Sequence, residues 1–364
     1  MTSTPVPSIA GKVASFDNVQ INQATHRLYV ADRTDQGVDV FDISAARAKY
    51  VGTVPLSSPP NGMALAPALA RLFVGTANGT VVVVDTKNSS ETVIAEVKTG
   101  TSADLLDYGA ARNRVYVSNG ADGTITSIDP STNTVKAVFS VGYLLEQPRF
   151  DPVDGMVYVS SPTADALFQI DPNDGLVKNR LPLSGCTPYG MAINPSTNTA
   201  LMACKAFVMS RDLRTGAVEK FSQVRGADVV NYDAAVDRFF VGSAQKTGPS
   251  VVIYAGSPIT YTASVTTGAD GNSAAYDETH GLVYTPDTRA NQSGVASFVL
   301  PAAPPRWLST LTTFGPYVAL VAAFLLLFIF IARSADPARR PPPKALPAVE
   351  PPELSPRRRK GQTT

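Results

Sequence analysis

Two sets of polar residues recur at fixed places along this chain, and both could do chemistry. The first is Asp17, Asn61, Asp104, Glu146, Tyr189, Asp228 and Asn272, each opening a short apolar stretch. The second is Asp32, Thr76, Asn119, Ser161, Cys204, Ser243 and Asp287, each closing the next such stretch. Arg33, Arg149 and Lys205 stand among these acids. Brought onto one concave rim, such carboxylates, amides and cations would form a polar surface able to hold a small ligand or a cation. The candidate ligand-binding rim is therefore Asp17, Asp32, Arg33, Asn61, Asp104, Asn119, Glu146, Arg149, Tyr189, Cys204, Lys205, Asp228 and Asp287. The simpler reading is that these side chains satisfy strand ends and hold water in a central channel.

Catalytic constellations are harder to find. The chain has two cysteines, Cys186 and Cys204, and two histidines, His26 and His280, too few for a disulfide framework or a multi-metal site. Cys186 and Cys204 fall near the same rim, so a disulfide between them is geometrically conceivable, but two buried free thiols are the expected outcome. A nucleophilic cysteine needs a nearby histidine base, and both histidines fall in turns of the opposite rim. His26 and His280 occupy equivalent turns of the first and last repeats, so a shared metal ion is conceivable, although ordinary surface histidines explain them. No nucleotide-binding glycine loop, zinc-type cysteine pairing or serine nucleophile elbow is present. "DPNDG" from Asp171 to Gly175 resembles a calcium loop but lacks the distal glutamate. No cofactor is expected, and the sequence points away from an enzyme.

The elements that must position these residues are repeats. Tyr29, Phe73, Tyr116, Tyr158, Leu201, Phe240 and Tyr284 mark corresponding places, with successive spacings of 44, 43, 42, 43, 39 and 44 residues. A period in the low forties fits a four-stranded propeller blade. Each unit reads as an alternating stretch such as "GMALAP", a polar turn, a β-branched strand such as "LFVGT", then "TVVVVDT" and "ETVIAEV". Helical periodicity is absent before residue 310. Asp42, Asp85, Asp129, Asp171 and Asp212 end the third strand of their units, where a carboxylate can hold a tight turn by accepting backbone N–H bonds. A lone blade cannot bury both faces of its sheet, so seven stacked in a ring are expected. The last unit lacks a fourth strand before "PAAPPRW", and a segment from about Pro5 to Gly11 is expected to supply it beside Val295 to Leu300.

With "VYVSN…GTITSID", "VYVSS…ALFQID", "PNGMAL" and "PYGMAI", the chain resembles the YVTN-repeat β-propellers over roughly residues 5 to 300. The resemblance implies a ring used mainly as a recognition platform. Some relatives are surface-layer-like or periplasmic proteins, and some similar rings sit beside quinone-cofactor enzymes. The later repeats drift, with "LMAC", "IYAG" and "FVLP" in place of the family's words.

After the propeller, residues 1–300, a Pro-rich linker is read at 301–310, a transmembrane helix at 311–332 and a disordered Pro/Arg-rich tail at 333–364. No charge lies between Arg306 and Arg333, and a helix from Leu311 would extend about 33 Å, enough for a hydrocarbon core of about 30 Å. The tail carries eight Lys or Arg against three Asp or Glu, which leaves the remaining chain at −4. A negative body disfavours nucleic acid as a partner. In the tail, Arg333, Arg339, Arg340, Arg357, Arg358, Arg359 and Lys360 are expected to meet anionic lipid headgroups. Basic flanks favour the cytoplasmic side, which places the propeller outside the cytoplasm. No signal peptide is visible, so either the true N-terminus differs or the protein is tail-anchored with a cytoplasmic ring; the extracytoplasmic ring is the leading expectation.

The leading functional expectation is a non-enzymatic, membrane-anchored scaffold or accessory subunit of a membrane complex, with a protein partner. A receptor for a small ligand or cation on the acidic rim is the second. A propeller enzyme or partner subunit of a dehydrogenase is the third.

Overall fold

Seven copies of one four-strand pattern become seven four-stranded antiparallel sheets, the blades of a β-propeller. The computed structural model describes residues 1–7, 14–87, 91–243, 245, 248–289 and 292–302. Blade 1 runs outward through Phe16–Asn22, Arg27–Asp32, Gly37–Asp42 and Lys49–Pro55. The inner strands of blades 2 to 7 are Pro60–Ala66, Leu106–Gly109, Pro148–Phe150, Pro188–Asn194, Ala227–Asp233 and Ala275–Asp277. The expected apolar helix at 311–332 and the tail at 333–364 lie outside the described residues, as does the linker from residue 303. Among the described residues no helix is long and apolar enough to cross a membrane.

The recurring aromatic has a packing reason. Each landmark is at most 2% exposed and packs on the second strand of the following blade. Tyr29 meets Leu72 and Val74, Tyr116 meets Val157 and Val159, and Leu201 meets Phe239 and Val241. Tyr284 of blade 7 closes the circle on Leu28 and Val30 of blade 1. Because strand side chains alternate in direction, the residues flanking each landmark serve the interface behind it. Every second strand is thus buried on both faces, and each large side chain so covered contributes about 2 kcal/mol of transfer free energy.

Ring closure uses a different segment from the one expected. Thr2–Pro5 pairs antiparallel with the third strand of blade 7, Thr2 opposite Ser297 and Pro5 opposite Gly294. The fourth strand therefore begins nearer the N-terminus than the expected Pro5 to Gly11. Pro5 and Pro7 flank Val6, whose N–H donates to Ser293 O at 2.9 Å and whose side chain is buried with Phe16, Ile43 and Val295. Pro5 and Pro7 offer no ladder donor, and Val6 between them supplies the N–H that continues the clasp.

The third-strand aspartates hold turns as the repeat predicts. Asp42, Asp85, Asp129, Asp171 and Asp212 accept the backbone N–H of Ser44, Lys87, Ser131, Asn173 and Arg214 at 2.7–2.9 Å.

Candidate functional site

Two rings of side chains line the axis, and their positions follow from the repeat. Twelve residues before each landmark stand Asp17, Asn61, Asp104, Glu146, Tyr189, Asp228 and Asn272, an upper ring bearing four carboxylates. Nine residues before it stand Gln20, Ala64, Asp107, Arg149, Ala192, Asn231 and Ala275, a lower ring with one acid and one base. Lower-ring residues are registered directly opposite the landmarks, as with Asp107 and Tyr116 or Arg149 and Tyr158. Upper-ring residues fall where the ladder breaks. Register slips lie between Phe16 and Val19, Pro60 and Met63, Pro188 and Met191, and Ala227 and Val230. A bulge frees its residues from pairing and re-aims them. Gly62 and Gly190 follow Asn61 and Tyr189 because neighbouring inner strands converge there; a Cβ would stand 2.6 Å from Leu105 Cα and 2.1 Å from Asp228 O.

Around the mouth of the channel Asp17, Asn61, Asp104, Glu146 and Asp228 line a well of about 330 Å³ together with Arg33. Arg33 Nη1 lies 2.8 Å from Asp17 Oδ2, and the guanidinium is the one cation among the well's described lining residues. The carboxylates are half-buried and repel one another. Burial raises Asp17 well above the ordinary range, with Asp228 adding repulsion and Arg33 opposing it. Burial likewise pushes Asp104 and Asp228 up to about 6, again opposed by Arg33. Glu146 is pushed up to about 8 by burial and then by the charges of Asp104, Asp228 and Asp17.

Beneath this well the axis is crossed by side chains that sequence reasoning missed. Gln147, 1% exposed, accepts through Oε1 the N–H of Met191 at 2.8 Å and of Val230 at 3.4 Å, tying blade 4 to blades 5 and 6. Arg149 was expected on the rim among the acids, yet it sits a layer lower. Its Nη2 donates to Val230 O at 3.0 Å and Asn231 Oδ1 at 3.1 Å, and its Nη1 lies 3.6 Å from Asp107 Oδ1. Burial lowers Arg149 and raises Asp107, each offset by the other's charge. A second cavity of about 410 Å³, lined by Asp107, Arg149, Asn231 and Tyr232, lies on this side and shares no lining residue with the acidic well. The nine-back spacing was the signal that would have found Asp107 and Asn231.

The other expected rim residues are not gathered into the well. Asp32 accepts the N–H of Thr34 and Asp35 at 2.8 and 3.0 Å. It neighbours Asp39, a buried acid raised by desolvation and by Asp32's charge and held by a hydrogen bond from Thr53 Oγ1. Asn119 donates to Thr124 and Thr126 hydroxyls at 3.0 and 2.8 Å. Asp287 is fully buried, accepting from Gly268 N at 2.6 Å and paired with Arg289 at 2.8 Å. Tyr189 offers its carbonyl to Ser160 Oγ, and Lys205 is exposed. These residues end second strands, one strand farther from the axis, or turn their backbone to a neighbour.

Cys204 forms a disulfide with Cys186, which corrects the expectation of two free thiols. The hairpin register brings the loop before blade 5 against the end of its second strand, and Lys205 N donates to Cys186 O at 3.0 Å. The repeat places both cysteines near one rim, but the 4.6 Å between their Cα atoms is not written in any local pattern. His280 Nδ1 lies 2.7 Å from Asp277 Oδ2. Among the described residues no group of three or more His, Cys, Asp or Glu is placed to hold a metal ion.

No family model matches the chain, and no curated protein matches it. Among solved structures it is similar to a chain of Kuenenia stuttgartiensis hydrazine synthase, at a TM-score of 0.66 and 15% identity, over 80% of this chain and 99% of that one. The likeness shows the fold alone. So many solved chains match, 1623 of them, that the architecture by itself selects no activity.

Proposed function

We propose that the chain is a non-enzymatic recognition ring, held at a membrane by its C-terminal apolar segment, that docks a protein partner over its acid-rich face. The observation that carries this is the upper ring: four carboxylates on four blades line one well, with Arg33 the single cation among its described lining residues. That arrangement recognises positive charge. Neither cysteine is available as a nucleophile, because each is bound to the other. The similar chain in a hydrazine synthase supports the accessory-subunit reading, since it sets a ring of this shape within an enzyme. Disulfides persist in oxidising compartments, and the Cys186–Cys204 bond therefore supports a ring outside the cytoplasm with the basic tail inside.

The test is purification of the full-length chain from its native membrane in mild detergent, beside a D104N/E146Q/D228N variant. A stoichiometric partner with the wild type, lost with the variant, is the expected result. A partner retained equally by both, or a wild type that purifies alone, overturns the docking reading.

A further inference from the structure

The cavity of about 410 Å³ on the lower side of the axis is built by two phases of the repeat, and protein docking leaves it unused. Nine residues before the landmarks, blades 2 and 5 place Ala64 and Ala192 where blades 3 and 4 place Asp107 and Arg149. Methyl groups thus stand where longer side chains would fill the axis, and all four residues line the cavity. Eight before the landmarks come Leu65, Tyr108, Phe150, Ile193 and Tyr232, an apolar collar around the same space. The two phenol hydroxyls are already engaged, Tyr108 with Asn113 Oδ1 at 3.1 Å and Tyr232 with Asp237 Oδ1 at 2.9 Å.

Within this collar one donor and one acceptor are left without a close partner. Arg149 Nη2 is held by Val230 O and Asn231 Oδ1, but Nη1 has only longer contacts, 3.3 Å to Pro148 O and 3.5 Å to Leu106 O. Asp107 Oδ2 accepts Phe150 N at 2.7 Å, whereas Oδ1 stands 3.6 Å from Arg149 Nη1. Hydrogen bonds from N–H to oxygen normally span about 2.7–3.2 Å, so this pair leaves a gap. The Arg149 and Asp107 side chains are 15% and 23% exposed, and both line this cavity and not the acidic well.

We infer that the cavity binds a small neutral organic molecule through a carboxamide-type edge, as in a primary amide, lactam or urea. The carbonyl accepts from Arg149 Nη1, the N–H donates to Asp107 Oδ1, and an apolar body fills the collar. A volume of about 410 Å³ falls within the usual range for small-molecule sites, about 300–1,000 Å³. Neutrality follows from the floor: Arg149 and Asp107 are the one base and the one acid among the described lining residues. Burial already works against both charges, and a charged ligand would add a third with nothing to compensate it. The cavity and the acidic well share no lining residue, so this inference stands apart from the docking reading.

The experiment is thermal denaturation of the full-length protein in detergent with benzamide, acetophenone, benzoate and benzamidinium, four probes of nearly one shape. The rise in Tm with probe concentration gives each affinity. Benzamide is expected to bind at least about tenfold more tightly than the others, the difference one lost hydrogen bond makes. Acetophenone binding as tightly overturns donation to Asp107, and benzoate or benzamidinium binding as tightly overturns the neutral edge. No shift with any probe in the folded wild type overturns the site. D107N gives a readout that general loosening would not produce: with the acid gone, benzoate should gain at least about tenfold relative to benzamide. An unchanged ratio overturns the part given to Asp107. A64L fills the cavity and keeps both floor residues, so it should abolish the benzamide shift; an undiminished shift puts the probe elsewhere and overturns the site.

Discussion

Arg149 Nη2 donates to Asn231 Oδ1 at 3.1 Å across the axis of the ring, joining blade 4 to blade 6 without passing through blade 5. The same guanidinium lies 3.6 Å from Asp107 of blade 3. Inner strands of a propeller pack mainly on their neighbours, so this side chain and Gln147 add direct ties between blades that are not adjacent.

Replacing Arg149 with Met should therefore destabilise the ring by about 2–3 kcal/mol, because Asp107 is left with its charge uncompensated in a mostly buried place. Adding D107N should restore part of that loss. Urea denaturation of the single and double variants measures both, and an R149M as stable as wild type would show that water replaces the guanidinium at no cost.

The ring itself was legible because a propeller writes its packing into a period: each landmark is one interface side chain, and seven of them at near-constant spacing admit one closure. The acidic mouth was legible for the same reason, since the upper ring occupies one phase of that period. Arg149 was misplaced because it belongs to another phase, three residues on, where the strand has re-entered the ladder. Asp32, Asn119 and Asp287 share a phase with one another but lie a strand farther out, and sequence spacing carries no radial coordinate. The disulfide depends on a distance between a loop and a strand end, which no local pattern records.

Stability should fall as pH rises from about 5 to about 9. Asp104 and Asp228 are raised to about 6 and Glu146 to about 8. A carboxyl raised in the folded state binds its proton more tightly there than in the unfolded chain. Its stabilising contribution is full below the unfolded value near 4 and is lost as pH rises through the folded one. E146Q removes the highest of these three and should flatten the curve between about pH 7 and 9. Tm across this range decides it; a wild type that gains stability towards pH 9 contradicts the assignment.

The Cys186–Cys204 bond closes a loop with a sequence separation of 18 residues, and both cysteines are fully buried. A C186A/C204A variant should lose about 3 kcal/mol on the chain-entropy account. The folded wild type should show no titratable thiol, and a reductant should produce two only after denaturant is added. Two thiols in the native protein, or an unchanged denaturation midpoint in the variant, would remove the bond from the structure's account.

The N-terminal clasp can be tested at a single glycine. Gly294 faces Pro5 across the closing pair, and a Cβ there would stand 2.1 Å from Thr4 O, a backbone atom with nowhere flexible to go. G294A must therefore push Thr2–Pro5 off the sheet and draw Val6 out of the core it shares with Phe16, Ile43 and Val295. Losing that side chain's burial together with the ladder bonds should cost about 2–4 kcal/mol. Gly52 is the matched control, since a Cβ there meets nothing within 4 Å, and G52A should fall within about 0.5 kcal/mol of wild type. Thermal denaturation gives the stability difference, and limited proteolysis reports whether the first residues have come loose. If G294A melts with G52A and resists protease equally, the closure of blade 7 does not depend on this strand, and the ring is held shut by the direct contacts of blade 7 with blade 1, among them Tyr284 on Leu28 and Val30 and the Gln23 amide on Tyr276 O.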